Sequence, residues 1–215
     1  MRATSRILRV LVTLLFAGFL TFGTVATPAN AVINTTKATT PQKLVSLNMT
    51  PQAQEKNLWC WAGASNIIAN HYGADISQNE FCNRAKGNTN LTAPCPNTTG
   101  DLYDIRRAWN SLGIYGSNAT YAPISFNQIK QEIDAGRPVM ARIQWKSNGM
   151  GHFLVIEGYD EATQQIQWID PWASSKRVNV GKYSNFLNDE RYRWTHTVTN
   201  IGIYATPKNP YIRPF

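Results

Sequence analysis

The chain has 215 residues, 43% of them hydrophobic and 16% charged, with a formal net charge of +8. Its length suits one domain with a substantial core. The lysines and arginines are spread along the sequence without a basic run, which excludes a nucleic-acid-binding stripe.

The N-terminus reads as a targeting segment rather than as fold. Arg2, Arg6 and Arg9 form a basic head, Val10 to Phe22 an apolar run, and Ala29-Asn30-Ala31 a small-residue cleavage site. The run falls short of the ~20 residues that span a bilayer, so a cleaved secretory signal over 1–31 is expected, with no stable membrane insertion. Export as a secreted protein, extracellular or periplasmic, follows. Residues 32–50 are polar and Thr-rich and are expected to form a flexible lead-in, too short for a folded inhibitory propeptide. A domain over 51–207 and a tail over 208–215 complete the division.

The spacing of Trp61, Ala64, Ile67, Ile68 and His71 predicts a helix over Asn57–Tyr72, stopped at Gly73. Ser77-Gln-Asn-Glu80 has the form of a capping box and opens a short helix to Ala85. Residues 86–100, rich in Asn, Thr, Pro and Gly, are loop. Asp101 to Leu112 is a third helix, and Ser125-Phe-Asn-Gln128 caps a fourth that ends near Ala135. The texture then changes to strands: Pro138–Trp145, His152–Tyr159, Gln165–Asp170, Arg177–Val180, and one or two more in the alternating tract Arg191–Tyr204. Helices first and antiparallel strands second indicate an α+β fold. There is no internal repeat.

The three cysteines are Cys60, Cys82 and Cys95. In an oxidising compartment an odd count leaves one thiol over. Cys82 and Cys95 are close in sequence with loop-like residues between them, so they are expected to pair. Their spacing and the lack of a nearby histidine argue against a metal site.

Cys60 falls at the start of the first predicted helix. Unpaired N–H groups and the positive end of the macrodipole favour an anion there, and the thiolate is the nucleophilic form of cysteine. The alternative is an ordinary buried cysteine. His152 stands after Gly149-Met-Gly151, at the mouth of an apolar strand, where a general base is held rigidly and has room; a half-buried structural histidine is the alternative. Asp170 ends the next strand, 18 positions later. A short turn between antiparallel strands brings both ends to one edge of the sheet, where a carboxylate orients an imidazole. An aspartate before Pro171 is also a common turn former. Asp160 lies at the opposite edge. Gln54, or its neighbour Gln52, offers an amide that stabilises an oxyanion together with the Cys60 N–H. His71 is about three helical turns from Cys60 and out of reach, and His196 sits in an alternating tract. Trp109, Trp145 and Trp172 are read as core residues in preference to pocket walls.

Taken in order, Gln54, Trp59-Cys60-Trp61-Ala62, Gly151-His152, Val155-Ile156-Glu157-Gly158-Tyr159-Asp160 and Ile169-Asp170-Pro171-Trp172 resemble the papain-like cysteine peptidases. The likeness is closest to the compact bacterial branches: secreted peptidases, type III effector peptidases and double-glycine leader peptidases. It implies a nucleophile helix packed on a C-terminal antiparallel sheet, with Cys60 as nucleophile, His152 as general base and acid, Asp170 as orienting acid and Gln54 as oxyanion donor. It also implies a peptide or protein substrate, no cofactor, and a monomer. The Cys-Gly-Ser-Cys-Trp segment of papain is absent, and Asp170 stands where papain has Asn. Two other readings remain: a Cys-His-Asp acyltransferase of transglutaminase type, and a non-catalytic exported binding module built on the seven tryptophans and nine tyrosines. The sequons at Asn34, Asn48, Asn90, Asn97 and Asn118 are read as chance in an Asn/Thr-rich chain.

Overall fold

The computed structural model describes residues 44–115 and 117–203, all within one compact unit spanning 39–215. The expected signal segment and the tail from 208 lie outside the described residues, as does most of the lead-in. The elements run β1 (Val45–Ser46), α1 (Cys60–His71), α2 (Gln78–Lys86), α3 (Leu102–Ser111), β2 (Asn118–Thr120), α4 (Phe126–Asp134), β3 (Val139–Trp145), β4 (Gly151–Asp160), β5 (Gln165–Ile169), β6 (Val178–Lys182), α5 (Tyr183–Leu187) and β7 (Tyr192–Thr199).

Local chemistry explains where the helices begin. Ser125 accepts the Gln128 N–H at 3.2 Å, and Gln128 accepts the Ser125 N–H at 2.8 Å, so α4 carries a closed capping box. Asp101 and Asp104 close an equivalent box on α3. On α2 the box is half made. Ser77 accepts from the Glu80 N–H, but the Glu80 carboxylate turns away to Arg84 at 2.6 Å. The first helix starts three positions later than its periodicity predicts, at Cys60, and no side chain caps it.

The sheet is antiparallel, in the order β2-β7-β3-β4-β5-β6. Strand β4 is its spine. One edge pairs with β5; the other pairs with β3 as far as Ile156, and β1 then continues that edge at Gly158 and Tyr159. The expected lead-in therefore gives way to sheet by Val45. Side-chain alternation along β4 divides the core. Phe153 and Val155 pack against α1, α2 and α3, whereas Leu154 and Ile156 face α4 and α5. The papain-like α+β architecture is present, with α1 packed on the sheet. Among the described residues no helix is long and apolar enough to cross a membrane.

A bulge falls at Glu157, between the pairs Ile156–Trp168 and Gly158–Gln167. Its carboxylate is buried and accepts the Met49 N–H and the Gln167 amide, each at 2.9 Å. The same bulge brings the Val45 carbonyl so near Gly158 that a Cβ there would sit 2.6 Å from it. Gly158→Ala should therefore displace β1 and lower the unfolding free energy by about 1–3 kcal/mol. Urea titration with the unsubstituted protein as reference checks this; an unchanged midpoint would contradict the packing described.

Candidate active site

The stretch before α1 has no regular structure, yet it is held at almost every residue. The Gln54 N–H donates to the Pro171 carbonyl at 2.6 Å, and the Trp59 N–H to that of Lys56 at 3.0 Å. Opposite lies the segment 95–99. Lys56 Nζ donates to the Cys95 carbonyl, the Leu58 N–H to Asn97 Oδ1, and the Trp59 and Trp61 indoles to the Pro96 and Thr98 carbonyls. The Thr99 carbonyl accepts from Lys86. Gly100 lies flat on Trp61, where a Cβ would sit 2.3 Å from the ring. A disulfide joins Cys82 on α2 to Cys95 at the head of this splint, and Cys60 is free.

Trp59 occupies the cap position of α1 with its indole committed to Pro96, so the first turn keeps its backbone N–H groups without a side-chain partner. Cys60 is half-buried at that open end. It lines a cavity of about 490 Å³ together with His152, Asp170, Trp145 and Trp172.

His152 is almost fully buried at the start of β4. Its Nε2 meets Asp170 Oδ1 at 2.8 Å, which leaves Nδ1 as the ring nitrogen for the Cys60 thiol across the shared cavity. Trp145 stacks on the imidazole at 6.0 Å and 26°, and Trp172 meets it edge-on at 6.1 Å. Burial pushes the imidazole pKa down, but hydrogen bonds to Asp170 and Cys60, with their charges, outweigh this and raise it to about 9. Burial likewise opposes ionisation of Asp170. The hydrogen bond and charge of His152, with the Trp172 N–H and Ser175, nevertheless hold that carboxyl below its usual range. The loop carrying Asp170 is clamped by Arg177, whose guanidinium donates to the carbonyls of Asp170, Trp172 and Ala173.

Of the residues singled out by sequence, Cys60, His152 and Asp170 share one cavity. Gln54 does not line it. Both of its amide N–H groups donate to backbone carbonyls, Lys56 at 2.9 Å and Asn57 at 3.0 Å, and its Oε1 is buried without a partner. The turn before Cys60 points those carbonyls inward, and the amide fills the space between them. Gln52 accepts from Asn66 on α1. His71 lies edge-on to Tyr72 at the far end of α1. Trp109 is core, but Trp145 and Trp172 line the cavity, contrary to the sequence reading. Thr99 is a wall residue that no residue-type signal marks, because its neighbours use its segment's carbonyls. The room beside Gly151 is filled by the Arg142 guanidinium.

A family model described as "Peptidase_C39 like family" matches residues 46–200. Among solved structures, the peptidase domain of Streptococcus ComA, a bi-functional ABC transporter involved in a quorum sensing pathway, is 18% identical with a TM-score of 0.56, covering 73% of this chain and 99% of that one. Xylellain, a cysteine protease from Xylella fastidiosa, is 13% identical with a TM-score of 0.43, covering 76% and 87%. The ComA likeness is one of fold. No match was found among curated proteins.

Two expectations follow. Closing a loop with a sequence separation of 13 stabilises by about 3 kcal/mol. Replacing Cys82 and Cys95 together by Ser should thus lower the melting temperature and slow Cys60 alkylation by losing the splint; unchanged values in both assays would refute the splint's role. His152 has a folded-state pKa near 9, above its ordinary 6.5. Its proton therefore adds stability that is complete below pH 6.5 and lost as pH rises through about 9. NMR titration should place the His152 midpoint there, and Asp170→Asn should move it down.

Proposed function

Because the chain belongs to the Peptidase_C39 like family and is a cysteine-type peptidase, we propose that it is an exported, monomeric enzyme that hydrolyses peptide bonds through Cys60, His152 and Asp170. The observation that carries this reading is the single imidazole shared by a thiol and a carboxylate, with Nε2 on Asp170 at 2.8 Å and the other nitrogen toward Cys60. The thiol stands at a helix terminus whose N–H groups no side chain caps.

The chemistry is acyl transfer in two halves. The proton already rests on Nδ1 of His152, so Cys60 reacts as the thiolate of an ion pair, and its sulfur attacks the peptide carbonyl carbon. The carbonyl oxygen takes the displaced electron pair and is received by the Cys60 N–H and the open first turn of α1. The imidazolium then gives its proton to the leaving amine nitrogen, the C–N bond breaks, and a thioester remains. Water enters, His152 takes one of its protons, and hydroxide attack on the thioester releases the acid and restores the thiolate–imidazolium pair. Asp170 fixes the tautomer throughout and stabilises the imidazolium, as the orienting carboxylate of a triad does. A Gln54 contribution to the oxyanion would require its amide to exchange the Lys56 or Asn57 carbonyl. Backbone donors need no such exchange.

Cys60→Ala should abolish hydrolysis of a peptide library and labelling by a thiol-directed epoxide. Asp170→Ala should keep the labelling site but lower kcat by about 10²–10⁴-fold, the range of acid–base catalysis. Hydrolysis retained in Cys60→Ala overturns the proposal. Amide product outpacing hydrolysis when a primary amine is supplied would reassign the enzyme to acyl transfer.

A further inference from the structure

A second cavity of about 510 Å³ opens beside the Cys60 cleft and shares Thr99 with it. One wall is the corner that opens α3. The other is the sheet, contributing Arg142 from β3, Phe153 from β4 and His196 from β7. Tyr103 and Tyr121 stand at the rim, 69% and 83% exposed.

Arg142 sets the charge of this space. Its guanidinium lies over Gly151, where a Cβ would fall 2.2 Å from Nη2, so it stands one residue from His152. Nη1 donates to Thr195 Oγ1 at 3.2 Å, and among the described residues the group makes no ion pair. Arg193, in the adjoining hollow, donates to the Gln144 amide oxygen and also makes no ion pair among those residues. The acid on the cavity wall is already committed: Asp101 Oδ1 accepts the Tyr103 and Asp104 N–H groups at 2.8 and 2.9 Å. The positive charge is felt by His196, whose pKa is lowered by burial and then by Arg142. A guanidinium with donors to spare, half-buried among aromatic rings, is built to take a carboxylate in a forked pair.

The catalytic geometry says which part of a substrate reaches it. In the mechanism above the leaving amine takes its proton from His152, which assigns the leaving half of a substrate to the side of the imidazole. The acyl half is then assigned to the other direction, toward Thr99, the residue that the two cavities share. We infer that the second cavity is an acyl-side subsite that selects an Asp or Glu side chain within a few residues N-terminal of the scissile bond, with Arg142 reading its carboxylate. This rests on the peptidase reading above.

The test uses quenched-fluorescent peptides in which Glu or its isostere Gln is placed, one position at a time, before the scissile bond. At one position the protein should prefer Glu by about tenfold in kcat/KM, equivalent to about 1.4 kcal/mol. Arg142→Gln should bring the Glu/Gln ratio to about one, and Arg142→Glu should make Lys the preferred residue. The ratio is internal to each variant, so a reduced folded fraction does not alter it. A ratio near one at every position in the unsubstituted protein, or a preference surviving in Arg142→Gln, overturns the inference and leaves the peptidase reading standing. Should no peptide be cut, the peptidase reading falls, and calorimetric binding to the Cys60→Ala protein decides the subsite alone. Tighter binding of the Glu peptide, lost with Arg142→Gln, supports it; equal binding of the Glu and Gln peptides refutes it.

Discussion

The segment that presents Cys60 has no helix or strand to hold it, and the site depends on what replaces them. Residues 95–99 answer residues 56–61 almost rung by rung, through Lys56, Leu58 and the indoles of Trp59 and Trp61. This explains an apparent flaw in α1. A good N-cap residue is worth about 1 kcal/mol, yet a tryptophan holds the position and caps nothing. The splint supplies the lost rigidity from outside the helix, so the first-turn N–H groups stay available at the thiol. The tryptophans flanking Cys60 thus serve the scaffold, and the cleft takes its aromatic walls from the sheet side.

The other half of the site is organised by charge. His152 is buried beside two indoles, where an isolated imidazolium would be costly. It holds its proton because Asp170 lies on one side and Cys60 on the other. Asp170 is in turn fixed by the Trp172 N–H at 2.8 Å and by a loop that Arg177 ties through its carbonyls. The Gln54 N–H reaches across to the Pro171 carbonyl, so the loop before the nucleophile and the loop after the carboxylate brace each other. A Cβ at Gly63 would meet Pro171 and Gln54 at 3.2 and 3.3 Å, which is why α1 needs small residues behind Cys60.

How far the sequence reveals this depends on the range of the interaction. Ser125 and Gln128 are three apart, so their box is visible without a fold. The His152 to Asp170 spacing implies a hairpin, and a hairpin puts both ends at one edge. Strands β1 and β2 have two and three residues and exist only by pairing with distant partners, so no local pattern announces them. Helix α5, with five residues, is equally short of signal. Gln54 illustrates a different limit: residue type suggests an oxyanion donor, but the carbonyls that claim its amide appear only once the turn is built. Trp145 and Trp172 look like core by composition and become cleft walls because the strand end and the post-β5 loop leave one side of each open.

The place of β7 in the sheet has a consequence for how the protein comes into being. It is the last strand among the described residues, yet it lies between β2 and β3. Until residues 192–199 arrive, β3 has a bare edge, and the face of the core that receives Trp194 is unfilled. A chain emerging N-terminus first therefore carries its thiol, imidazole and carboxylate before β7 closes the sheet behind them. Strand order acts as a clock, and the nucleophile is aligned only once residues 192–199 have joined the sheet.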